Sequence, residues 1–139
     1  MTDCIFCKII RGDVPSYKVY EDDFIYAFLD IIPINKGHIL VVPKEHHENI
    51  LDTPEELLCK IIKVVKNIAP IALKAVGSEG FNLGVNNGTI AGQIVSHLHF
   101  HIVPRFLYDG HQLFQGGAYE AGEAEDIQEK IVELLNNAN

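Results

Sequence analysis

Hydrophobic and polar residues alternate over residues 97–103, where three histidines are separated from one another by single apolar residues. Successive side chains of a β-strand point to opposite faces, so a strand would place His97, His99 and His101 on one face, about 6.5–7 Å apart. The apolar residues between them would line the opposite face and enter a core. Pro104 lacks a backbone donor, and we expect it to end this strand.

Four other segments have the hydrophobic pattern of β-strands. Residues 17–20 and 24–30 are rich in β-branched and aromatic residues, and the acidic turn 21–23 between them predicts a hairpin. The apolar run 39–42 is typical of a buried strand, and residues 81–86 have the pattern of one more strand. Together with the histidine-containing segment, these segments predict a sheet of five strands.

A long helix is predicted between the strands at 39–42 and 81–86. Apolar residues recur at helical spacing over residues 57–68, after a start signal in which Thr53 is the cap and Pro54 the first helical residue. Pro70 should kink or interrupt this helix. The apolar stripe is what a helix that covers a sheet requires, so no catalytic role is needed to explain it.

The C-terminal part of the chain predicts one more helix. The Gly-rich loop 108–122 is expected to expose His111, and the acidic residues 123–126 suit the N-terminus of a helix. The apolar stripe of this helix consists of Ile127, Ile131, Leu134 and Leu135. A length of 139 residues fits one domain, which we expect over residues 1–139.

The charge balance narrows the class of partner. The chain has 11 Lys and Arg against 19 Asp and Glu, which gives a net charge of −8. This balance argues against a general surface for nucleic acid or anionic membranes, although one pocket with concentrated donors can still bind a nucleotide. There is no apolar run of about 18 residues and no signal-peptide pattern, so we expect neither a membrane span nor secretion. Three cysteines, an odd number, do not make a disulfide framework, and a cytoplasmic location is predicted.

Two of the cysteines form the pair Cys4-x-x-Cys7 near the start of the chain. Such a pair alone leaves redox, zinc and accidental explanations open. A thioredoxin-like motif needs a preceding strand, for which the three residues before Cys4 leave no room. A zinc site needs two further ligands, for which His46 and His97 are candidates, and His47 competes with His46.

Three explanations fit the alternating histidines. A half-exposed strand could carry them without any function, but three imidazoles are hard to explain by exposure alone. A metal site is a stronger alternative, because neutral imidazole is a common protein ligand. The third explanation is nucleophilic catalysis, in which neighbouring histidines orient the attacking imidazole.

Several segments, in a fixed order along the chain, resemble one known family. They are Cys4-Ile5-Phe6-Cys7-Lys8-Ile9-Ile10 with Val14-Pro15, then Phe28-Leu29-Asp30, then Gly37-His38 through Pro43-Lys44, and the alternating histidines preceded by Ala91-Gly92-Gln93. In this pattern the chain resembles the histidine triad (HIT) family of nucleotide hydrolases and transferases. The resemblance covers residues 4–105 and becomes weaker in the C-terminal extension 106–139.

The resemblance implies a fold, a substrate class and an assembly. The fold would be α+β, with an antiparallel sheet of about five strands, one long helix and a C-terminal helix. The substrate would be a purine nucleoside phosphoramidate or a dinucleoside polyphosphate. HIT proteins of this type pair as homodimers through the long helix and a shared sheet edge.

The resemblance also implies a role for each histidine. His99 would attack the α-phosphorus and form a nucleotidyl-histidine, which water then hydrolyses. His101 and His38 would stabilise developing phosphoryl charge or pass a proton. His97 belongs to the triad by motif and to the zinc site by its partners, and its direct part in catalysis stays open.

The nucleotide-binding residues are implied in the same way. Asp30 would bind the ribose hydroxyls, and Asn86 with the backbone of Gly92 and Gln93 would contact the phosphate. The residues that would enclose the nucleobase are Ile5, Phe6, Ile9, Val14, Phe28, Leu29 and Ile31. Ile94 departs from the pattern, because some members have a phosphate-binding serine at this position.

Zinc-carrying members of the family match this chain at Cys4, Cys7, His46 and His97, so the resemblance implies a structural zinc and no organic cofactor. Two alternatives to the nucleotide hydrolase stay open. One is a zinc-dependent hydrolase that uses the three alternating histidines as ligands of an open metal site. The other is a nucleotide-binding regulatory protein with little turnover.

Overall fold

The computed structural model describes residues 3–112 and 114–138. The chain divides into two compact units, one ending at Asp109 and the other beginning at Gly110. The first unit contains the sheet and every candidate site residue, and the second contains the C-terminal helix. The single domain expected over residues 1–139 includes residues 1, 2, 113 and 139, which lie outside the described residues, and it stays a prediction.

Five strands of the described chain form one antiparallel sheet, as the resemblance to the family implies, and each lies in a segment where the hydrophobic pattern predicts a strand. They are β1 (Lys18–Glu21), β2 (Ile25–Leu29), β3 (Ile39–Pro43), β4 (Gly80–Val85) and β5 (Phe100–Arg105). Their order across the sheet is β1-β2-β3-β5-β4, so β5 lies between β3 and β4, and β1 and β4 are the edges. The predicted hairpin is β1–β2, whose turn is closed because Oδ1 of Asp22 accepts the backbone N–H of Phe24 and of Ile25.

Three α-helices among the described residues accompany the sheet and confirm the α+β class. They are α1 (Ile5–Arg11), α2 (Glu55–Val76) and α3 (Glu123–Asn137). The short helix α1 is not predicted from the sequence; it begins after Cys4, its N-cap, and Gly12 ends it in the left-handed region. No helix among the described residues is long and apolar enough to cross a membrane.

The expected start of α2 is wrong, and the expected interruption at Pro70 is wrong, whereas a kink at Pro70 stays a prediction. The Thr53 hydroxyl donates to the carbonyl of Asn49 at 2.7 Å, so Pro54 takes the cap position without a side-chain hydrogen bond. The helix also runs without interruption through Pro70. Pro70 lies on the exposed side of α2, where water can bond the carbonyl that loses its intrahelical donor.

Each face of the sheet has its own core. The core on the α2 side contains Leu98, Phe100 and Ile102, the apolar residues that alternate with the histidines. The core on the opposite side contains Phe6 and Ile9 of α1. The two-faced character predicted for this segment is therefore confirmed, and the histidines belong to the face that α1 covers.

The alternating segment differs from the prediction at both ends. The strand β5 begins at Phe100, so His97 and His99 lie in the segment that leads into it, with His97 in a bend. At its other end, β5 continues through Pro104. The pairing of β5 with β3 stops at Ile102, so the missing N–H of Pro104 removes no hydrogen bond on that side.

Candidate active site and metal centre

The sheet register places the histidines beside apolar residues of two neighbouring strands. His101 on β5 is paired with Leu40 on β3, and Leu40 is paired with Phe28 on β2. These three residues therefore lie in one row across the sheet. From the α1 side, the ring of Phe6 contacts the ring of His99 edge-on, with 5.1 Å between the centroids.

A cavity of about 480 Å³ opens on this face. Its volume is in the range of sites that bind small molecules. The predicted site residues that line it are Ile5, Phe6, Ile9, Val14, Phe28, Leu29, Asp30, Ile31, Asn86, Gly92, His99 and His101. Three of the predicted catalytic and nucleotide-binding residues, His38, His97 and Gln93, do not line the cavity.

A backbone carbonyl fixes the tautomer of His99. Its Nδ1 lies 2.7 Å from the carbonyl oxygen of His97, and since a carbonyl only accepts, Nδ1 must carry the proton. The other ring nitrogen, Nε2, therefore keeps its lone pair. Burial lowers the pKa of His99 below its usual range, which keeps the ring neutral. The cavity thus contains an unprotonated imidazole nitrogen, the form that can attack an electrophile.

His97 has the opposite tautomer for the same kind of reason. Its Nε2 lies 2.8 Å from the carbonyl oxygen of Pro43, so Nε2 carries the proton and Nδ1 has the lone pair. Nδ1 faces the two thiols, at 3.4 Å from Sγ of Cys4 and 3.6 Å from Sγ of Cys7. Burial lowers the pKa of this ring to about 4. His97 is therefore neutral and oriented as a metal ligand.

A backbone donor orients the pair His38 and His101. The N–H of Ile34 donates to Nδ1 of His38 at 3.1 Å, so the proton of His38 is on Nε2. Nε2 lies 2.9 Å from Nδ1 of His101 and donates to it. His101 must then carry its own proton on Nε2, a buried atom without a hydrogen-bond partner among the described residues. The result is an oriented chain of donors that ends at a cavity-lining ring.

Burial keeps both rings of this pair neutral. It lowers the pKa of His38, and it lowers the pKa of His101 to about 4, with a further decrease from the neighbouring His99 and His38. The carboxylate of Asp30 opposes both shifts. Each ring is therefore held as a neutral donor at physiological pH.

Asp30 directly follows β2 and lines the cavity, and its predicted contact with ribose stays a prediction. Its Oδ1 accepts the backbone N–H of Ile32 at 2.9 Å, and its Oδ2 lies 3.7 Å from Nε2 of His38. Asp30, His38 and His101 are close enough to suggest a cation site. However, Nδ1 of His38 already accepts a hydrogen bond, so a neutral His38 has no second lone pair to give a cation. The group is better described as a hydrogen-bonded pair beside a carboxylate.

The loop before the histidines uses the amides that were predicted to contact phosphate. The N–H of Gly92 donates to the carbonyl of Thr89 at 3.0 Å, and the N–H of Gln93 donates to the carbonyl of Gly88 at 3.1 Å. The following residue, Ile94, has a backbone N–H that donates to no backbone carbonyl among the described residues. In this conformation, the available amide is therefore that of Ile94.

The side chains of this loop have different surroundings. Gln93 is buried, and its amide donates to the carbonyls of Glu48 and Val95 and accepts the N–H of Gly88. It therefore braces the loop. Asn86 is only partly buried, and its Nδ2 lies 3.5 Å from the carbonyl of Gly92. A phosphate role for Asn86 stays a prediction that this position allows.

The four predicted zinc ligands come together. One ligand atom from each of Cys4, Cys7, His46 and His97 lies within 4.8 Å of the other three. Nδ1 of His46 lies 3.4 Å from Sγ of Cys7, close to the other sulfur–nitrogen distances. Usual zinc bond lengths and a tetrahedral angle separate such ligand atoms by about 3.5 Å. The residues present therefore fit a four-coordinate zinc.

Two other ligand sets are not supported by the geometry. His47 does not belong to the cluster, and its Nε2 lies 3.1 Å from Oε1 of Glu45. The alternating histidines do not form one of the metal-binding groups among the described residues. The unprotonated nitrogen of His97 faces the thiols, whereas Nδ1 of His101 accepts a hydrogen bond from His38. The three rings therefore do not converge on one ion.

Sequence reasoning missed backbone groups and part of the cavity wall. The amide of Ile34 and the carbonyl of Pro43 leave no signal, because every residue has such groups. The lining residues that were not predicted as site residues are Pro15, Ser16, Ile32, Leu40, Ile94 and Val95. Leu40 could have been found, because strand alternation places it on the face of the histidines once β3 and β5 are paired.

Known proteins have the same fold and similar sequences. The model of the HIT domain family matches residues 11–107. The adenosine 5'-monophosphoramidase of Schizosaccharomyces pombe is 47% identical over 102 residues, which cover 73% of this chain and 74% of that protein. The crystal structure of a HIT family member from Bacillus subtilis superposes with a TM-score of 0.85 and 41% identity, over 94% of this chain and 96% of that one.

A second solved structure is similar over nearly the whole chain. It is a zinc-bound histidine triad family protein from Mycobacterium smegmatis, with a TM-score of 0.74, 34% identity and 99% coverage of both chains. Sheet, histidine arrangement and matched relatives together define the HIT class. The chain belongs to the HIT family, and it is an enzyme of that family.

Proposed function

We propose that this protein is a nucleotide hydrolase that cleaves purine nucleoside phosphoramidates or dinucleoside polyphosphates through a nucleotidyl-histidine. The observation that carries the proposal is the tautomer of His99, whose Nδ1–H is fixed by the carbonyl of His97 at 2.7 Å. This bond leaves a neutral Nε2 lone pair in a cavity large enough for a nucleotide. The name of the yeast relative, a monophosphoramidase, supports the same reaction class.

The first step forms a bond between Nε2 of His99 and the α-phosphorus. For a phosphoramidate protonated on nitrogen, the P–N bond breaks as the new bond forms, and its electron pair leaves with the neutral amine. The positive charge then resides on the His99 ring, whose Nδ1–H donates to the carbonyl of His97. The Nε2–H of His101 is a donor for the phosphoryl oxygens, where negative charge must be stabilised.

The second step hydrolyses the intermediate. Water adds to phosphorus, the bond to Nε2 breaks, and its electron pair returns to His99. The proton lost by the water goes to the released amine or to solvent. His99 is neutral again, and the products are a nucleoside monophosphate and an amine.

The rest of the cavity suits a nucleoside. Asp30 provides a carboxylate that a backbone bond holds in place, which suits recognition of ribose hydroxyls. Apolar side chains, including Phe6, Phe28 and Leu40, provide a surface on which a purine can pack. Ile94, at 93% exposure, provides no hydroxyl, so we assign phosphate contact at this position to its backbone N–H.

We further propose that Cys4, Cys7, His46 and His97 hold a structural zinc. Four protein ligands leave no position for water, so the metal would contribute stability and not chemistry. All three cysteines are free thiols, and thiolate ligands persist in a reducing compartment, so we propose that the protein is cytoplasmic.

A homodimer is the assembly that we propose. The edge strand β4 exposes Phe81 and Leu83, at 38% and 42%, and α2 exposes Ile62 and Ile71. Two copies that pair through β4 and α2 would cover these apolar side chains and the unpaired backbone of the sheet edge.

The deciding experiment is intact-protein mass spectrometry. The protein is incubated briefly with an adenosine phosphoramidate, and the reaction is then quenched without acid. We expect the wild type to gain the mass of one adenylyl group and His99→Ala to gain none. His111→Ala, at an exposed histidine outside the cavity, is the matched control and should behave as the wild type. Tight nucleotide binding without turnover would instead identify a regulatory protein. Turnover that gives no adduct and is abolished by EDTA would favour the zinc-dependent hydrolase.

A further inference from the structure

The orientation of His38 depends on a single backbone donor, the N–H of Ile34. Ile34 lies in the turn between β2 and β3, and its side chain is exposed. An N–H in an exposed turn is held in place only as firmly as the turn itself. The residues that fix this turn therefore decide how well His38 is oriented.

The side chain of Asn35 ties this turn to the far end of the sheet. Its Nδ2 donates to the carbonyl of Pro104 on β5 at 2.9 Å and to Oδ2 of Asp109 at 2.9 Å. Its backbone carbonyl accepts the N–H of His38 at 3.2 Å. These contacts, here named the Asn35 bridge, flank the amide of Ile34 directly.

The acceptor end of the Asn35 bridge is itself firmly held. Asp109 is almost fully buried, with 7% of its side chain exposed. Arg105 donates to it twice, from Nε at 2.7 Å and from Nη2 at 2.8 Å, and the N–H of Phe106 donates at 3.1 Å. A carboxylate bound through both oxygens is a fixed acceptor, so it can position Asn35.

The other end of the turn is held by close packing. Gly37 has a φ of 86°, and a Cβ placed there would lie 3.0 Å from Cγ1 of Val76 and 3.2 Å from Cγ of Pro104. The turn is thus fixed at two places. Gly37 packs between α2 and β5, and the Asn35 bridge holds the residue that follows Ile34. The catalytic reaction uses neither contact directly.

We propose that Asn35 is a positioning residue: the Asn35 bridge holds the amide of Ile34 against Nδ1 of His38 and thereby makes His38 donate its Nε2 proton to His101. This inference rests on the proposed function only for its kinetic consequence. Its structural part, the hydrogen bond from His38 to His101, exists in the protein without substrate.

The direction of this hydrogen bond matters for the reaction. When Nδ1 of His38 accepts the Ile34 amide, Nε2 must donate, and His101 must present its own Nε2–H. If the turn moves, Nδ1 of His38 becomes accessible to water and the ring is free to rotate or change tautomer. His101 then has no fixed donor behind it, while Asp30 and His99 still face the pair.

The test is to compare the wild type with Asn35→Leu, which keeps the side-chain size but removes both hydrogen bonds. In protein labelled with ¹⁵N-histidine, without nucleotide, the wild type should show a sharp, slowly exchanging Nε2 proton on His38. In Asn35→Leu this signal should broaden as exchange with water accelerates. With substrate, kcat should fall about tenfold while KM changes less than about twofold, because orientation of a catalytic group is lost and binding contacts are not.

Asn82→Leu is the matched control, since Oδ1 of Asn82 accepts from Nη1 of the same Arg105 without contacting the turn. It should match the wild type in both measurements. If Asn35→Leu does not fold, Asp109→Asn, which keeps an oxygen acceptor for Asn35, should give a smaller change in the same direction. An unaltered His38 signal in the folded variant overturns the inference. Absence of turnover in the wild type with a normal His38 signal counts against the proposed function alone.

Discussion

At the scale of single residues, backbone groups determine what each histidine can do. The carbonyls of Pro43 and His97 fix opposite tautomers on His97 and His99, and the amide of Ile34 fixes His38. The alternation of side chains could be predicted from the sequence, because it follows from strand geometry. The tautomers could not, because they depend on which backbone carbonyl or amide lies within hydrogen-bond distance of a ring nitrogen.

The neutral state of His101 predicts a dependence of stability on pH. Its pKa is about 4 in the folded protein and near 6.5 when unfolded, so between these values the unfolded chain binds more protons. Its contribution is complete above about pH 6.5 and is lost as the pH falls towards 4. We therefore expect the free energy of unfolding to decrease over this range in urea titrations.

The variant His101→Asn isolates this contribution, because it does not titrate and its side-chain oxygen can still accept the hydrogen bond from Nε2 of His38. Its free energy of unfolding should decrease less steeply than that of the wild type between pH 6.5 and 4. Parallel curves for the two proteins would show that His101 does not titrate with a lowered pKa.

At the scale of elements, short segments join the site to the sheet. The sequence predicts every strand and the long helix, because their hydrophobic patterns extend over several residues. It does not predict α1, whose seven residues include one zinc-ligand candidate, Cys7, and show no clear hydrophobic period. The prediction that Pro104 ends its strand is also wrong. The pairing of β5 with β3 stops at Ile102, so β5 can continue through a residue that lacks an N–H.

The metal cluster predicts that α1 is stabilised by zinc. Cys4 is the N-cap of α1 and Cys7 lies in its first turn, so loss of the metal should release the helix from the sheet. We expect Cys4→Ser or prolonged chelation to lower Tm by about 10 °C, measured by scanning calorimetry with metal analysis. Cys59→Ser, at an exposed cysteine outside the cluster, is the control and should leave Tm and zinc content unchanged. Equal Tm values with and without bound zinc would contradict a structural metal.

The turn before β3 predicts an unusual cost for one glycine. Gly37→Ala combines a positive φ with contacts as short as 3.0 Å, so it should destabilise the protein by about 2–4 kcal/mol in urea unfolding. Gly77→Ala is the matched control, since its φ is 72° but a Cβ there meets nothing within 4 Å. It should cost only about 1–2 kcal/mol. Similar costs at both positions would show that the close packing at Gly37 relaxes.

At the scale of the whole molecule, the two edges of the sheet differ in their neighbours. The edge strand β4 contacts α2 and exposes Phe81 and Leu83, whereas β1 exposes Val19 at the opposite edge. The resemblance to a family implies the dimer. The hydrophobic pattern alone does not, because an exposed leucine on a strand has many explanations.

The dimer predicts that a charge on β4 separates the two copies. Leu83→Lys should convert a dimer of about 31 kDa into a monomer of 15.5 kDa in light scattering after size exclusion, since burial of a charge at an apolar interface is costly. Val19→Lys, on the edge strand β1, should leave the mass unchanged. A wild type that is already monomeric, or a Leu83→Lys variant that stays dimeric, would exclude this interface.

One residue belongs to both centres of the molecule. The ring of His97 faces the thiols of Cys4 and Cys7, while its carbonyl holds the proton of His99. If the proposed metal binds at the thiols and a nucleotide binds beside His99, His97 is the residue through which the two binding events can be thermodynamically linked. If occupation of the metal site favours the backbone position that nucleotide binding also favours, each ligand raises the affinity of the other by the same factor.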